Sequence, residues 1–245
     1  MKLFLAGLHS EGRRLPIVKP PFIMGSFLYG SKRFYEYIHS EDCKDFILDS
    51  GAFTFMSGKD GDIDWDKYCD NYADFITRNK FKRFIEIDID VVVGLPRVED
   101  LRARLEDRTG LACIPVFHRS RGKDKFYEIL ESHKFIALGG IAIKDIKRDE
   151  FKYFKWFIKE AHDRDVGIHG LGFSHTKLFK EYDFDSVDST TWMRARFGNL
   201  YVFSNGKMKV FQTQGKYRIK DHHAVSIHGL QEWVKYIDYM NQRSS

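Results

Sequence analysis

The sequence is poor in cysteine and has no long apolar run. Only three cysteines occur among 245 residues, Cys43, Cys69 and Cys113, and no two of them form a CxC or CxxC pair. A disulfide framework and a thiolate zinc site are therefore not expected. No apolar stretch approaches the roughly 18 residues that a membrane span needs. The apolar start at residues 1–7 is typical of a first strand and not of a signal peptide, so we predict a cytoplasmic protein without membrane contact.

Repeats, low-complexity tracts and Pro/Gly-rich linkers are also missing, which predicts a single domain over residues 1–245. Aromatic residues, in contrast, are abundant, with 22 Phe and 12 Tyr, and predict a Phe-rich core. The formal net charge of +5 is a mild basic excess. It is compatible with a nucleic-acid partner but does not by itself indicate one.

Short apolar segments alternate with longer amphipathic ones, a pattern typical of a parallel sheet covered by helices. Strands are predicted over Leu3–Gly7, Phe46–Phe53, Phe84–Asp90, Cys113–His118, Phe135–Gly139, Gly167–Gly172 and Asp185–Asp188. Helices are predicted over Asp64–Asn79, Lys123–Ser132, Asp149–Asp163, Lys177–Tyr182 (with Ser174 as its cap) and Gly229–Met240.

Seven such strands, with one more to be placed, favour an α/β fold of the (β/α)8 TIM-barrel type. An open doubly wound sheet is the alternative, although no GxGxxG motif follows the first strand, as a dinucleotide-binding version would require. Asn205-Gly206 between apolar runs predicts a β-hairpin over Tyr201–Phe211, which either elaborates the barrel near its C-terminus or supplies the last strand.

Polar residues and a glycine pair occur where the predicted strands end, and active sites of parallel barrels form at those carboxyl ends. The residues concerned are Asp49, Asp88, Asp90, His118, Gly139, Gly140 and Asp188. A carboxylate that follows an apolar run costs desolvation energy unless it is paired or used. Each residue also has a structural reading: Asp49 and Asp188 as turn or helix caps, His118 as a buried core histidine, and the glycine pair as a tight turn.

The order of five short segments resembles the tRNA-guanine transglycosylase family. The chain has five segments that resemble family patterns. Asp49–Phe53 with Met56–Gly58 resembles DSGGFQ…S.G, Ile136–Ala142 resembles AIGGLA, and His169–Gly172 resembles HLLGVG. Phe184–Ser189 resembles VDMFDC, and Arg194–Phe203 resembles RNAR.G..F. The family's CxCxxC zinc run has no counterpart, and the chain is shorter than the tRNA enzymes. It is therefore most similar to the compact, zinc-free, phage-type DNA-guanine transglycosylases, which would place it in a bacterial or phage-infected cytoplasm.

The resemblance implies a base exchange in which guanine in DNA is replaced by a 7-deazaguanine such as 7-cyano-7-deazaguanine (preQ0). It implies Asp188 as the nucleophile that forms a covalent aspartyl-sugar intermediate, and Asp49 as the proton-transfer group. The remaining implied base contacts are Asp88 (or Asp90), His118 in place of the family's glutamine, Gly139, Gly140, Ile141, Ser50 and Phe53.

The partners expected from this reading are DNA and the free 7-deazaguanine base, with no cofactor and no metal. Arg194, Arg196, Lys207 and Lys209 are either phosphate contacts or solvated charges of the hairpin. Three other functions remain open: the same exchange on tRNA, a catalytically silent nucleic-acid-binding barrel, and an unrelated barrel hydrolase or lyase that uses the same carboxylates.

Overall fold

The computed structural model describes residues 1–55, 63–141, 145–212 and 223–242, except that the side chain of Phe53 is not described. Met56, Ser57, Gly58 and Ala142, which belong to the segments compared above, lie outside the described residues. None of the helices in the described part of the chain combines the length and hydropathy that a membrane crossing requires.

The described residues form nine strands and eight α-helices. The strands are β1 (Lys2–Ala6), β2 (Phe22–Ser26), β3 (Asp45–Asp49), β4 (Val116–Phe117), β5 (Phe135–Leu138), β6 (Gly167–Gly170), β7 (Ser186–Ser189), β8 (Asn199–Ser204) and β9 (Lys207–Gln212). The helices are α1 (Leu15–Val18), α2 (Lys32–Ile38), α3 (Trp65–Asn79), α4 (Asp90–Val93), α5 (Leu95–Thr109), α6 (Lys123–Ser132), α7 (Phe154–His162) and α8 (His223–Gln242).

Seven strands form one sheet in the order β3-β2-β1-β7-β6-β5-β4, and β8 pairs only with β9. Parallel bridges also join Leu48 to Phe84 and Ile85 to Ile114, so the short segment 84–85 lies between β3 and β4 as an eighth strand would. The predicted α/β fold of the TIM-barrel type is confirmed. It arises because near-continuous apolar strands must be covered by helices on their outer side.

The chain divides into two compact units. The first comprises Met1–Met24, Gly30–Phe46 and Gly172–Ser245, and the second comprises Gly25–Tyr29 and Ile47–Leu171. In the first unit β1 pairs with β2 and β7 in parallel, with Phe4 opposite Asp188. The indole N–H of Trp192, which is fully buried, donates to the carbonyl of Ala6 at 2.7 Å and ties the segment after β7 to the end of β1.

In the second unit, α3 and α5 pack against each other. Asp64 caps α3 by accepting from the Lys67 amide at 3.0 Å, and the helix ends at Lys80 in the left-handed conformation. Its buried face is formed by Cys69, Tyr72, Ala73 and Ile76. Ion pairs such as Arg104–Asp70 and Arg108–Asp74 also join the two helices, but they are solvent-exposed and contribute little to stability.

The structure corrects three predicted elements. The predicted strand Phe84–Asp90 is reduced to the bridges at 84–85, because Asp90 already begins α4. The segment Lys177–Tyr182 forms turns instead of a helix, and the helix predicted from Asp149 starts as a 3-10 segment before α7. Strand β2 and the helices α1, α2, α4 and α5 were not predicted. The hairpin and the helices over Lys123–Ser132 and at the C-terminus are confirmed.

The hairpin turn provides a test of the fold. Asn205 and Gly206 both have positive φ, 51° and 72°, as a type I′ turn requires. A Cβ on Gly206 would lie 2.3 Å from the Tyr239 hydroxyl. We therefore expect Gly206→Ala to lower the free energy of unfolding by about 1–2 kcal/mol. Chemical denaturation should show Asn205→Gly, the control in the same turn, within a few tenths of a kcal/mol of wild type; equal effects of both variants would contradict this account.

Candidate functional site

The second unit contains a buried cluster of charged side chains. Asp88 follows the strand-like segment 84–85, and Asp90 is the first residue of α4. His118 directly follows β4, and Arg121 ends the 3-10 turn that comes next. The cluster thus lies after the carboxyl ends of two neighbouring parallel segments, where barrel enzymes carry their active sites.

His118 lies between the two aspartates. Its Nε2 is 3.2 Å from Asp88 Oδ2, and its Nδ1 is 3.2 Å from Asp90 Oδ2. The His118 side chain is only 3% exposed. An imidazole whose two nitrogens both face carboxylates is stabilised in its doubly protonated form, because each N–H then donates to an acceptor.

Arg121 contacts the same carboxylates from another direction. Its Nε donates to Asp90 Oδ2 at 2.8 Å and its Nη2 donates to Asp88 Oδ1 at 3.1 Å. Its Nη1 donates to the carbonyl of Val116 and lies 3.4 Å from Glu86 Oε1. With 2% of its side chain exposed, the guanidinium has exchanged water for these protein partners.

A third carboxylate, Glu86, is fully buried. Its Oε1 also accepts from the Val116 amide at 2.9 Å, and its Oε2 pairs with Arg102 at 3.2 Å. When all groups are ionised, the cluster balances three carboxylates, Glu86, Asp88 and Asp90, against His118, Arg102 and Arg121. Such a balance is what permits so many charges to be buried together.

The burial and the close charges shift the pKa values of the cluster. Burial alone would lower the pKa of His118, but hydrogen bonds to Asp88 and Asp90 outweigh it and raise that pKa to about 9. Burial opposes ionisation of Asp90, yet its hydrogen bonds with His118 and Arg121 hold its pKa well below the usual range. Burial raises the pKa of Glu86, against the opposing effect of Arg121 and Arg102. Strongly shifted pKa values of this kind are common at functional sites.

The cluster also has the ligands of a metal site. Asp88, Asp90 and His118 each offer one ligand atom, and these atoms lie within 4.8 Å of one another. Asp90 Oδ1 is buried and has no hydrogen-bond partner among the described residues. A site without metal had been predicted from the sequence, in which Asp88, Asp90 and His118 were not combined as metal ligands.

Gly139 follows β5 and leaves room for the histidine. A Cβ on Gly139 would lie 2.7 Å from His118 Nε2 and 2.7 Å from Val116 Cγ1. Its amide donates to the carbonyl of Phe117 at 3.0 Å. The amide predicted to bind a base carbonyl is therefore used in the sheet, and the missing side chain accommodates His118.

The structure therefore brings Asp88, Asp90, His118 and Gly139 together. The two oxygens of Asp88 face His118 and Arg121. Gly140 has a φ of 94°, and a Cβ there would approach Asp145 at 3.1 Å, which makes it a turn glycine. Ile141 follows it in the turn and is half-buried.

Asp49 and Ser50 have local structural roles. Asp49 Oδ2 accepts from the Gly51 amide at 3.0 Å and so closes the turn after β3. Ser50 is buried, its hydroxyl accepts from the Ala52 amide at 3.4 Å, and its carbonyl accepts from the Tyr68 hydroxyl.

Asp188, the predicted nucleophile, lies on β7 in the first unit. It is 7% exposed, and its Oδ1 accepts from the Gly172 amide at 2.6 Å. Arg196 pairs with buried Glu11 and lies over the Trp192 ring, whereas Arg194, Lys207 and Lys209 are exposed. A phosphate-binding role for these four cations stays a prediction, as do the DNA or tRNA partner and the single domain.

Sequence reasoning missed Glu86, Arg102 and Arg121. Glu86 was detectable, because it belongs to a run in which an acidic residue occupies every second position, Glu86, Asp88 and Asp90. Three carboxylates in a buried run require cations nearby. Which arginines supply them depends on the packing of α5 and of the turn after β4, which the sequence does not show.

Compared with family models and with curated proteins, the chain matches none. Among solved structures it is similar to the decarboxylase KGPDC from Streptococcus mutans. The identity is 11% and the TM-score 0.50, covering 96% of this chain and 98% of that chain. It is also similar to a protein from Coccidioides immitis assigned as a fructose-1,6-biphosphate aldolase, with 13% identity and a TM-score of 0.49, covering 98% of this chain and 89% of that chain.

These comparisons contradict the predicted family. The chain matches no transglycosylase model, and the structural likeness is to KGPDC, with which it shares the barrel fold. Membership of the tRNA-guanine transglycosylases, the phage-type branch, pentosyl transfer, and the exchange of guanine for preQ0 in DNA or tRNA are therefore wrong. The five segments misled because glycines and aspartates at strand ends also form turns and accept from backbone amides, as Gly140, Asp49 and Asp188 do here.

The titration of His118 tests the electrostatics of the cluster. Its pKa in the folded protein, about 9, exceeds its ordinary value of 6.5. Protonated His118 therefore stabilises the fold fully below pH 6.5, and this contribution is lost as the pH rises towards 9. At about 1.4 kcal/mol for each pH unit, the loss in free energy of unfolding should be on the order of 3 kcal/mol.

We expect wild type to lose this stability relative to His118→Gln across that pH range in metal-free buffer, measured by urea denaturation. The exposed His162→Gln serves as the control and should run parallel to wild type. NMR of the imidazole should give the matching titration; a midpoint near the ordinary histidine value would refute the proposed pairing.

Proposed function

We propose that the chain is a barrel enzyme that depends on a divalent cation, held by Asp88, Asp90 and His118. The observation that carries the proposal is that two carboxylates and an imidazole converge within 4.8 Å after the carboxyl ends of parallel segments. In barrel enzymes, catalytic groups are found at that end of the strands. A barrel fold alone supports many activities, so the proposal rests on these three side chains and not on the fold.

The chemistry of the ligand set fits a cation of intermediate hardness. Carboxylates suit Mn²⁺ and imidazole suits Zn²⁺, and both ions accept the combination. The buried Asp90 Oδ1, without a partner among the described residues, is a ligand atom that the existing ion pairs do not use. Binding would require a neutral imidazole, so the cation would displace one of the two N–H protons with which His118 faces the aspartates.

Three protein ligands leave coordination positions for water or for a substrate oxygen. A cation bound in this way polarises such an oxygen and stabilises negative charge that develops on it. The chain itself contributes to the orientation of the ligands, since Gly139 leaves the space in which His118 lies between the two aspartates. The proposed substrates are therefore molecules with an oxygen that the bound cation can polarise.

Metal binding is the direct test. We expect wild type to bind one equivalent of Mn²⁺, detected by the loss of the free-ion EPR signal and by calorimetry. Asp88→Asn and Asp90→Asn should each weaken binding by about tenfold or more, because each replaces a charged ligand by a neutral one. Asp74→Asn removes an exposed carboxylate of α3 and is the matched control, for which affinity should not change.

A further measurement separates a catalytic cation from a structural one. Oxalate, a small bidentate oxyanion, should bind to the Mn²⁺-loaded protein and alter its EPR spectrum, but should not bind without the metal. The proposal would be wrong if wild type bound neither Mn²⁺ nor Zn²⁺. It would also be wrong if Asp74→Asn lowered Mn²⁺ affinity as much as Asp88→Asn and Asp90→Asn do. Mn²⁺ binding without oxalate binding would indicate a closed, structural metal site.

A further inference from the structure

Arg121 already pairs with both aspartates of the cluster, and it contacts carboxylate oxygens that a metal would need. Its Nε is 2.8 Å from Asp90 Oδ2, and its Nη2 is 3.1 Å from Asp88 Oδ1. A divalent cation bound to the same aspartates repels the guanidinium and competes for these oxygens. Since Arg121 is only 2% exposed, water cannot take over its charge at this position.

A buried guanidinium that loses its carboxylates is strongly destabilising, so cation binding requires another acceptor for Arg121. Glu86 is placed to be that acceptor. Its Oε1 lies 3.4 Å from Arg121 Nη1, the longest of the three carboxylate contacts of this arginine. This contact can shorten when the other two weaken. Glu86 is itself fully buried, so its charge acts at close range and without screening by water.

We infer that Glu86 is a positioning residue that retains Arg121 when a divalent cation takes over Asp88 and Asp90. The inference rests on the proposed function. Two further contacts hold Glu86 in place: the Val116 amide donates to Oε1 at 2.9 Å, and Arg102 pairs with Oε2 at 3.2 Å. The hydrogen bonds and ion pairs described for Glu86 go to Val116, Arg102 and Arg121 and to none of the three proposed ligands, so Glu86 acts on the metal site through Arg121.

The substitution Glu86→Gln tests the role of the charge. Glutamine keeps the shape and an oxygen that can accept from the Val116 amide, but it no longer neutralises Arg121. We expect Mn²⁺ affinity to fall by about tenfold, because Arg121 then remains bound to Asp88 and Asp90. Arg121→Met removes the competing cation and should raise Mn²⁺ affinity relative to wild type. Calorimetry and EPR give both affinities.

The double variant Glu86→Gln/Arg121→Met distinguishes positioning from a general structural role. Without Arg121 there is no cation for Glu86 to retain, so Glu86→Gln should change Mn²⁺ affinity by no more than about twofold in this background. A structural role would cause the same loss in both backgrounds. If Glu86→Gln alone does not fold, a loss of Mn²⁺ affinity on adding Glu86→Gln to Arg121→Met would still overturn the positioning role.

The outcomes separate this inference from the function on which it rests. Wild type that binds no divalent cation would overturn both. If wild type binds Mn²⁺ and Glu86→Gln binds it with the same affinity, the role of Glu86 is wrong and the metal site stands. An equal loss in both backgrounds would also overturn the positioning role.

Discussion

Three carboxylates within five residues of sequence, Glu86 fully buried and Asp88 and Asp90 half-buried, impose the main constraint on the second unit. Glu86, Asp88 and Asp90 cannot be ionised in a low-dielectric interior unless cations are brought to them. The required charges come from α5, through Arg102, and from the segment after β4, through His118 and Arg121. The turn after β4 is thereby fixed to the loop before α4.

This constraint also explains the composition of the neighbouring strand end. His118 can lie between two aspartates only if the next strand offers no side chain there, and Gly139 provides that space. The amide of Gly139 completes the sheet by donating to Phe117. A glycine that resembles a ligand-binding loop in the sequence is thus explained by the packing of one imidazole.

The fold class could be predicted from the sequence because strands and helices are recognised by the spacing of apolar residues, which is visible in short stretches of the chain. Most strands and the helices α3, α6 and α8 were located, since their apolar spacing and caps, such as Asp64, are local signals, whereas the long helix α5 was missed. The candidate site was predicted only in part: Asp88, Asp90 and His118 were named, but Arg121 and Arg102 were not. The sequence could not assign roles to these residues, because a carboxylate at a strand end looks the same in sequence whether it binds a ligand, as proposed for Asp90, or closes a turn, as Asp49 does.

The two units differ in how far apart their paired residues lie along the chain. The charged cluster is assembled from residues 86–121, so its contacts have a low contact order and can form early in folding. In the first unit, by contrast, β1 pairs with β7, and Lys2 lies opposite Ser186. During synthesis from the N-terminus, β1 must wait for β7 to leave the ribosome before this side of its sheet is paired. Until then, an apolar strand with an unpaired edge is exposed, and nascent chains are open to aggregation at this step.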